Sequence, residues 1–160
     1  MSNNRKSRRN FLRTAGLFVA GTSVVALTGA RSVFAMMSKF SIQKSFAVEG
    51  YDAVAYFTEN RAVRGNSDHQ FSYMGAPFRF ASAANRDIFA ANPEAYAPQY
   101  GGYCAYAVSR GYTATGSPTA WTIHDGKLYL NVSKIVRALW STNKSGNIKN
   151  ADENWPNVLG

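Results

Sequence analysis

Between Val48 and Ser82 the apolar residues Val54, Tyr56, Phe71, Tyr73, Phe78 and Phe80 recur at period two, which predicts short strands. Gly65-Asn66 and Gly75 supply the turns between them. The period then lengthens in "SAANRDIFAANPEAY", where a short helix is expected: Ser82 as N-cap, Ile88 and Phe89 toward the sheet, Asn92-Pro93 as the stop. Pro93-Glu94 opens a further helical turn. "TAWTIHDGKLYLN" is the clearest hairpin, with Trp121, Ile123, Leu128 and Leu130 alternating around Asp125-Gly126, the preferred pair for a type I′ turn. "SKIVRALW" follows as an amphipathic helix capped by Ser133, its apolar side formed by Ile135, Val136, Leu139 and Trp140. A polar segment leads to Trp155, expected to pin the tail. Strands and helices mix without βαβ alternation. The fold class is therefore α+β, a small single domain of short antiparallel strands and hairpins packed with two to four short helices. No internal repeat or low-complexity tract is legible.

The first 35 residues follow different rules. A basic head, the interrupted apolar run Ala15 to Ala30, and small residues at Val33 and Ala35 read as an export signal cleaved after Ala35. The run is too short and too broken by Gly16, Gly21 and Gly29 for a stable membrane span. Arg8-Arg9 followed by Phe11 and Leu12 resembles the twin-arginine export signal. That resemblance implies a bacterial protein handed to the twin-arginine machinery and carried folded to the periplasm, with no stable membrane insertion after cleavage. Two segments result, the signal at 1–35 and one domain at 36–160.

Removing the signal changes the charge. The chain has 18 basic and 9 acidic residues, but Arg5, Lys6, Arg8, Arg9, Arg13 and Arg31 all lie in the signal. The remainder is only +3, 12 basic against 9 acidic, and scattered, so nucleic acid is not an expected partner. One cysteine, Cys104, allows no internal disulfide despite the oxidising destination.

The stretch "YMGAPFRFASAANRDIFAANPEAY" resembles a YHS domain, through Tyr73, Gly75, Phe80, Ser82, Phe89, Pro93 and Tyr96 at matching spacing. "QYGGYCAYAVSRG", "DGKLYLN" and "NWP" extend the likeness to an exported, stand-alone branch of that family, covering nearly all of Val48 to Pro156. The resemblance implies a binding module and metal held by cysteines. Those cysteines would fall on Ala81, Asn85 and Ala55. Alanine has no donor atom and asparagine is a poor ligand for soft metals, so that site does not carry over.

What remains is a sparse donor set: Cys104, His69, His124 and Met74, besides Met36 and Met37. Two histidines, a cysteine and a methionine make the census of a blue-copper centre, but the spacing is wrong, since no histidine lies within 19 residues of Cys104. A weak copper or zinc site at Cys104 with one histidine or a tyrosinate stays open. So does a small-ligand pocket lined by Tyr100, Gly101, Gly102, Tyr103 and Tyr106 around the thiol. Tyr96, Tyr100, Tyr103, Tyr106 and Tyr112 recur at gaps that fit one helical face. Against these stand a plain buried cysteine, a reactive thiol at a helix N-terminus after Gly101-Gly102, and an interaction domain without chemistry. No base with a recognisable motif accompanies the thiol. The leading expectation is a periplasmic YHS-type binding module for a transition metal, copper first, or a small ligand near Cys104. The alternative is a thiol or redox enzyme.

Overall fold

The computed structural model describes residues 39–43 and 46–160. The export signal, with Arg8, Arg9, Phe11, Leu12 and the junction after Ala35, lies outside the described residues, as do Met36 and Met37. Among the described residues no helix is long and apolar enough to cross a membrane.

The chain opens with a strand pair, β1 (Ile42–Gln43) against β2 (Phe46–Ala47). A left-handed turn follows at Val48, Glu49 and Gly50, with φ of 52°, 51° and 77°. Here the period-two reading fails: Ala55–Thr58 is a short helix, α1, and not a strand. Asp52 is the reason. Its Oδ1 accepts the N–H groups of Val54 at 2.9 Å and Ala55 at 3.2 Å, which are orphan donors at a helix start.

A hairpin comes next, β3 (Asn66–Tyr73) with β4 (Ala76–Phe80). Met74 and Gly75 form its tip at φ 48° and 79°, the signature of a type I′ turn. Gly65 marks no turn. It is a close approach, because a Cβ there would sit 2.5 Å from the Cβ of Arg79. Helix α2 (Ala83–Ala91) is capped by Ser82 Oγ on Asn85 N, 3.1 Å, and it ends before α3 (Pro93–Tyr96). Phe89 is fully buried, whereas Ile88 is 39% exposed.

The second half begins with another left-handed turn, Tyr100, Gly101 and Gly102 at φ 53°, 59° and 82°. Helix α4 (Ala105–Ser109) leads to the hairpin of β5 (Ser117–His124) and β6 (Lys127–Asn131), tipped by Asp125-Gly126 as expected. Ser133 caps α5 (Lys134–Ser141). Its apolar side is split, however: Trp140 is fully buried and Val136 partly so, while Ile135 (76% exposed) and Leu139 face solvent. The polar segment after it is helical too, α6 (Lys144–Asn154), and Trp155 pins the tail against Tyr100 and Tyr103.

The whole is a small α+β domain with three antiparallel strand pairs and six α-helices among the described residues. Two apolar clusters hold it. One gathers Val54, Tyr56, Phe78, Phe80 and Phe89 with Leu128 and Leu130; the other gathers Tyr100, Val108, Tyr129, Trp140 and Ala151.

Candidate functional site

The three positions expected to correspond to family cysteines converge in space, and on one side chain. Besides Ala55 N, the Asp52 carboxylate accepts Ala81 N at 2.8 Å and Asn85 Nδ2 at 2.7 Å, both on Oδ2. Asp52 is fully buried. Four N–H donors satisfy the carboxylate, so a metal would have to strip them away and would find no second strong ligand. Among the described residues no group of three or more His, Cys, Asp or Glu side chains is placed to hold a metal ion. The residues present do not fit the family's metal.

Cys104 is 1% exposed and precedes the first residue of α4. Its backbone bridges Leu130 on β6, and its N–H donates to Ala114 O at 2.7 Å. The thiol donates to Asn131 Oδ1 at 3.5 Å, and the same oxygen accepts Tyr106 N at 3.2 Å. Asn131 is fully buried and its Nδ2 has no partner. The neighbour of the sulfur is thus a hard amide oxygen, not a soft donor. The other three candidate ligands lie elsewhere. His69 sits within β3, in the bulged stretch between the Asn66 and Gln70 pairings. Met74 is the tip of the first hairpin. His124 pairs with Lys127, three residues along β6 from the Leu130 that faces Cys104, or about 10 Å of strand.

Two clefts are the openings of interest, and Cys104 lines neither. The first, about 200 Å³, lies under the Met74 tip and is walled by Phe40, Tyr73, Tyr100, Gly101 and Trp155, with Glu94 at its edge. Tyr100 and Gly101 line this cleft, away from the thiol around which a pocket was expected, and Gly102, Tyr103 and Tyr106 do not line it. The tyrosines from Tyr96 to Tyr112 do not share a helical face, since the left-handed turn at Tyr100 breaks the helix between them. Residues Lys39 to Ser41 run across Gly101: a Cβ there would lie 1.6 Å from Lys39 O, and Ser41 N donates to Gly101 O at 2.8 Å.

The second cleft, about 500 Å³, lies under the Asp125 tip and is bordered by His124, Asp125, Ile148, Lys149, Asp152 and Glu153. His124 Nε2 is 3.5 Å from Asp125 Oδ2. Beneath the rim the Tyr100 hydroxyl donates to Asp152 Oδ1 at 2.8 Å. Burial, then that hydrogen bond and the nearby carboxylate, hold the Tyr100 phenol well above its ordinary pKa. Tyr129 behind it is pushed up to about 12, mainly by burial, with Asp152 and Asp125 adding to it. The rim therefore carries three acids, one lysine and one half-buried imidazole. Such a surface attracts cations. Its signal in sequence was weak, because Asp125 reads as turn chemistry and Asp152-Glu153 as part of a polar segment.

Comparison with known families finds a YHS domain at residues 54–100, from the start of α1 to the Tyr100 turn. Comparisons with curated proteins and with solved structures gave no match.

Proposed function

We propose that this chain, with its YHS domain at residues 54–100, is an exported periplasmic binding module whose ligand enters the open cleft beside His124. It is not a carrier built on the family's cysteine positions. The observation that carries the reading is that cleft: about 500 Å³, a size that admits a small ligand, with convergent polar groups from β5 and α6. Export rests on Arg8-Arg9 and the small residues before Ala35. A copper or zinc site at Cys104 has less support, because its sulfur is buried against Asn131 Oδ1. The same burial, with an amide oxygen and not a base as the sulfur's hydrogen-bond partner, weighs against a thiol enzyme.

Amide chemical-shift mapping with a panel of small amines, amino acids and dipeptides tests the proposal. Shifts confined to residues 123–126 and 145–153 support it. Shifts centred on Cys104 and Asn131, or none with any probe, refute it. A parallel Cu(I) titration of wild type and Cys104→Ala decides the metal question, since equal affinity in both ends any role for the thiol.

A further inference from the structure

The two halves of the molecule follow one plan. Each starts with a three-residue left-handed turn closed by a 3.0 Å bond, Tyr51 N to Val48 O in the first and Tyr103 N to Tyr100 O in the second. Asp52 N donates to Val63 O as Cys104 N does to Ala114 O. Gly65 N donates to Gly50 O as Gly116 N does to Gly102 O. A Cβ on Gly65 would strike Arg79 Cβ at 2.5 Å, and one on Gly116 would strike Leu130 Cβ at 2.6 Å. Both hairpins carry the same irregularity, a jump from Asn66 to Gln70 opposite Phe80 and Arg79, and from Ser117 to Trp121 opposite Asn131 and Leu130. Ser82 and Ser133 cap the next helices, each with a fully buried aromatic seven residues on, Phe89 and Trp140. Asn92 and Asn143 precede the last helices with closely matching backbone angles, φ −151° and −146°. From the bulge onward every pair is 51 residues apart, as Gly65 and Gly116 are.

The clefts obey the same shift. Tyr73, Met74, Glu94, Ala97, Pro98 and Gly101 border the first; His124, Asp125, Ser145, Ile148, Lys149 and Asp152, each 51 positions later, border the second. One site is built twice. The difference is what covers it: Lys39 to Ser41 lie across the first at Gly101, and the corresponding rim position of the second, Asp152, carries an exposed carboxylate residue with no chain segment described across it. Phe40 stacks edge-on to Phe78 at 5.5 Å, whereas in the second half Tyr100 already covers the matching Tyr129 at 5.9 Å. The aromatic slot is thus taken, and the groove for backbone and cation stays open.

We infer that residues 100–151 are a second copy of the YHS-type unit, and that its cleft receives a short peptide segment bearing a basic side chain, of the kind that Lys39–Ser41 supplies to the first copy. Three acids against one lysine set the charge preference, and the self-segment in the equivalent cleft shows what kind of chain fits. This rests on the cleft being the ligand site.

The test uses the full chain and a capped, labelled peptide of sequence Lys-Phe-Ser-Ile-Gln, copied from residues 39–43, read by fluorescence anisotropy and amide shifts. Binding in the range of about 10⁻⁴ to 10⁻³ M is expected for so short a segment, with shifts at 124–126 and 148–153. Asp125→Asn with Glu153→Gln, which keeps a residue tolerant of the turn, should weaken it by about fivefold or more. A peptide with glutamate in place of the lysine should not bind. Absence of binding, equal binding of the glutamate peptide, indifference to the double substitution, or shifts at Gly101 instead would each overturn the inference. If small amines shift the cleft and the peptide does not, the binding-module reading stands and this one falls.

Discussion

The side-chain amide of Asn85 donates to the carboxylate of Asp52 at 2.7 Å, joining two positions 33 residues apart in the chain. Through that bond and those from Ala55 and Ala81, the place where relatives are expected to grip a metal becomes a satisfied, buried hydrogen-bond node. A carboxylate accepting several N–H groups ties α1 to the start of α2 and needs no ion.

Removing that carboxylate leaves four donors without an acceptor. Asp52→Ala is expected to lower unfolding stability by about 3 kcal/mol or more, read from the denaturant midpoint. A loss below about 1 kcal/mol would show that the node is not what joins the two segments.

Cys104 is sealed, so its chemistry should follow unfolding. Native protein is expected to react with a thiol reagent only as fast as it opens, and unfolded protein at once. Cys104→Ala should cost about 1 kcal/mol. Rapid alkylation of the native fold would put the sulfur at a surface that the structure does not show.

Gly101 and Gly111 separate backbone strain from steric exclusion. Both have positive φ, but a Cβ on Gly111 meets nothing within 4 Å, whereas one on Gly101 runs into Lys39 O. Gly111→Ala should cost about 1 kcal/mol. Gly101→Ala should cost at least about twice that and release the 39–41 segment, seen as faster proteolysis at the N-terminus.

Alkaline stability reports the buried phenols. Tyr56 and Tyr100 are raised above the ordinary tyrosine value chiefly by burial, and Tyr129 is raised to about 12 for the same leading reason. In the unfolded chain they ionise near 10, so the unfolded state loses protons first. Stability should be intact below about pH 10 and fall as pH rises beyond it, by about 1.4 kcal/mol per pH unit for each such group. Phenolate absorbance of these residues should appear together with the loss of helical circular dichroism, and an earlier, reversible rise in the native state would contradict their burial.

The repeated unit explains what was legible. Gly50-Tyr51-Asp52-Ala53-Val54-Ala55 and Gly102-Tyr103-Cys104-Ala105-Tyr106-Ala107 share a G-Y-x-A-x-A pattern, the longest textual trace of the duplication beside isolated identities such as Gly65 with Gly116 and Ser82 with Ser133. It is short, and the paired positions elsewhere differ in chemistry: Met74-Gly75 against Asp125-Gly126, Phe89 against Trp140. Backbone hydrogen bonds repeat where side chains have diverged, and those bonds have no sequence signal.

Local rules were enough for the caps at Ser82 and Ser133, the stop at Asn92-Pro93, the Asp125-Gly126 tip and the α+β class, because each depends on residues within one turn or hairpin. The sequence by itself also determined that cysteine ligation is absent at Ala55, Ala81 and Asn85, since donor atoms are a property of residue type. Only the tertiary structure decided where Asp52 points, which face of α5 is buried, and that His124 shares a rim with Asp152 while Cys104 shares none. Those outcomes depend on pairings between segments tens of residues apart, set by burial and shape over the whole core rather than by any local pattern.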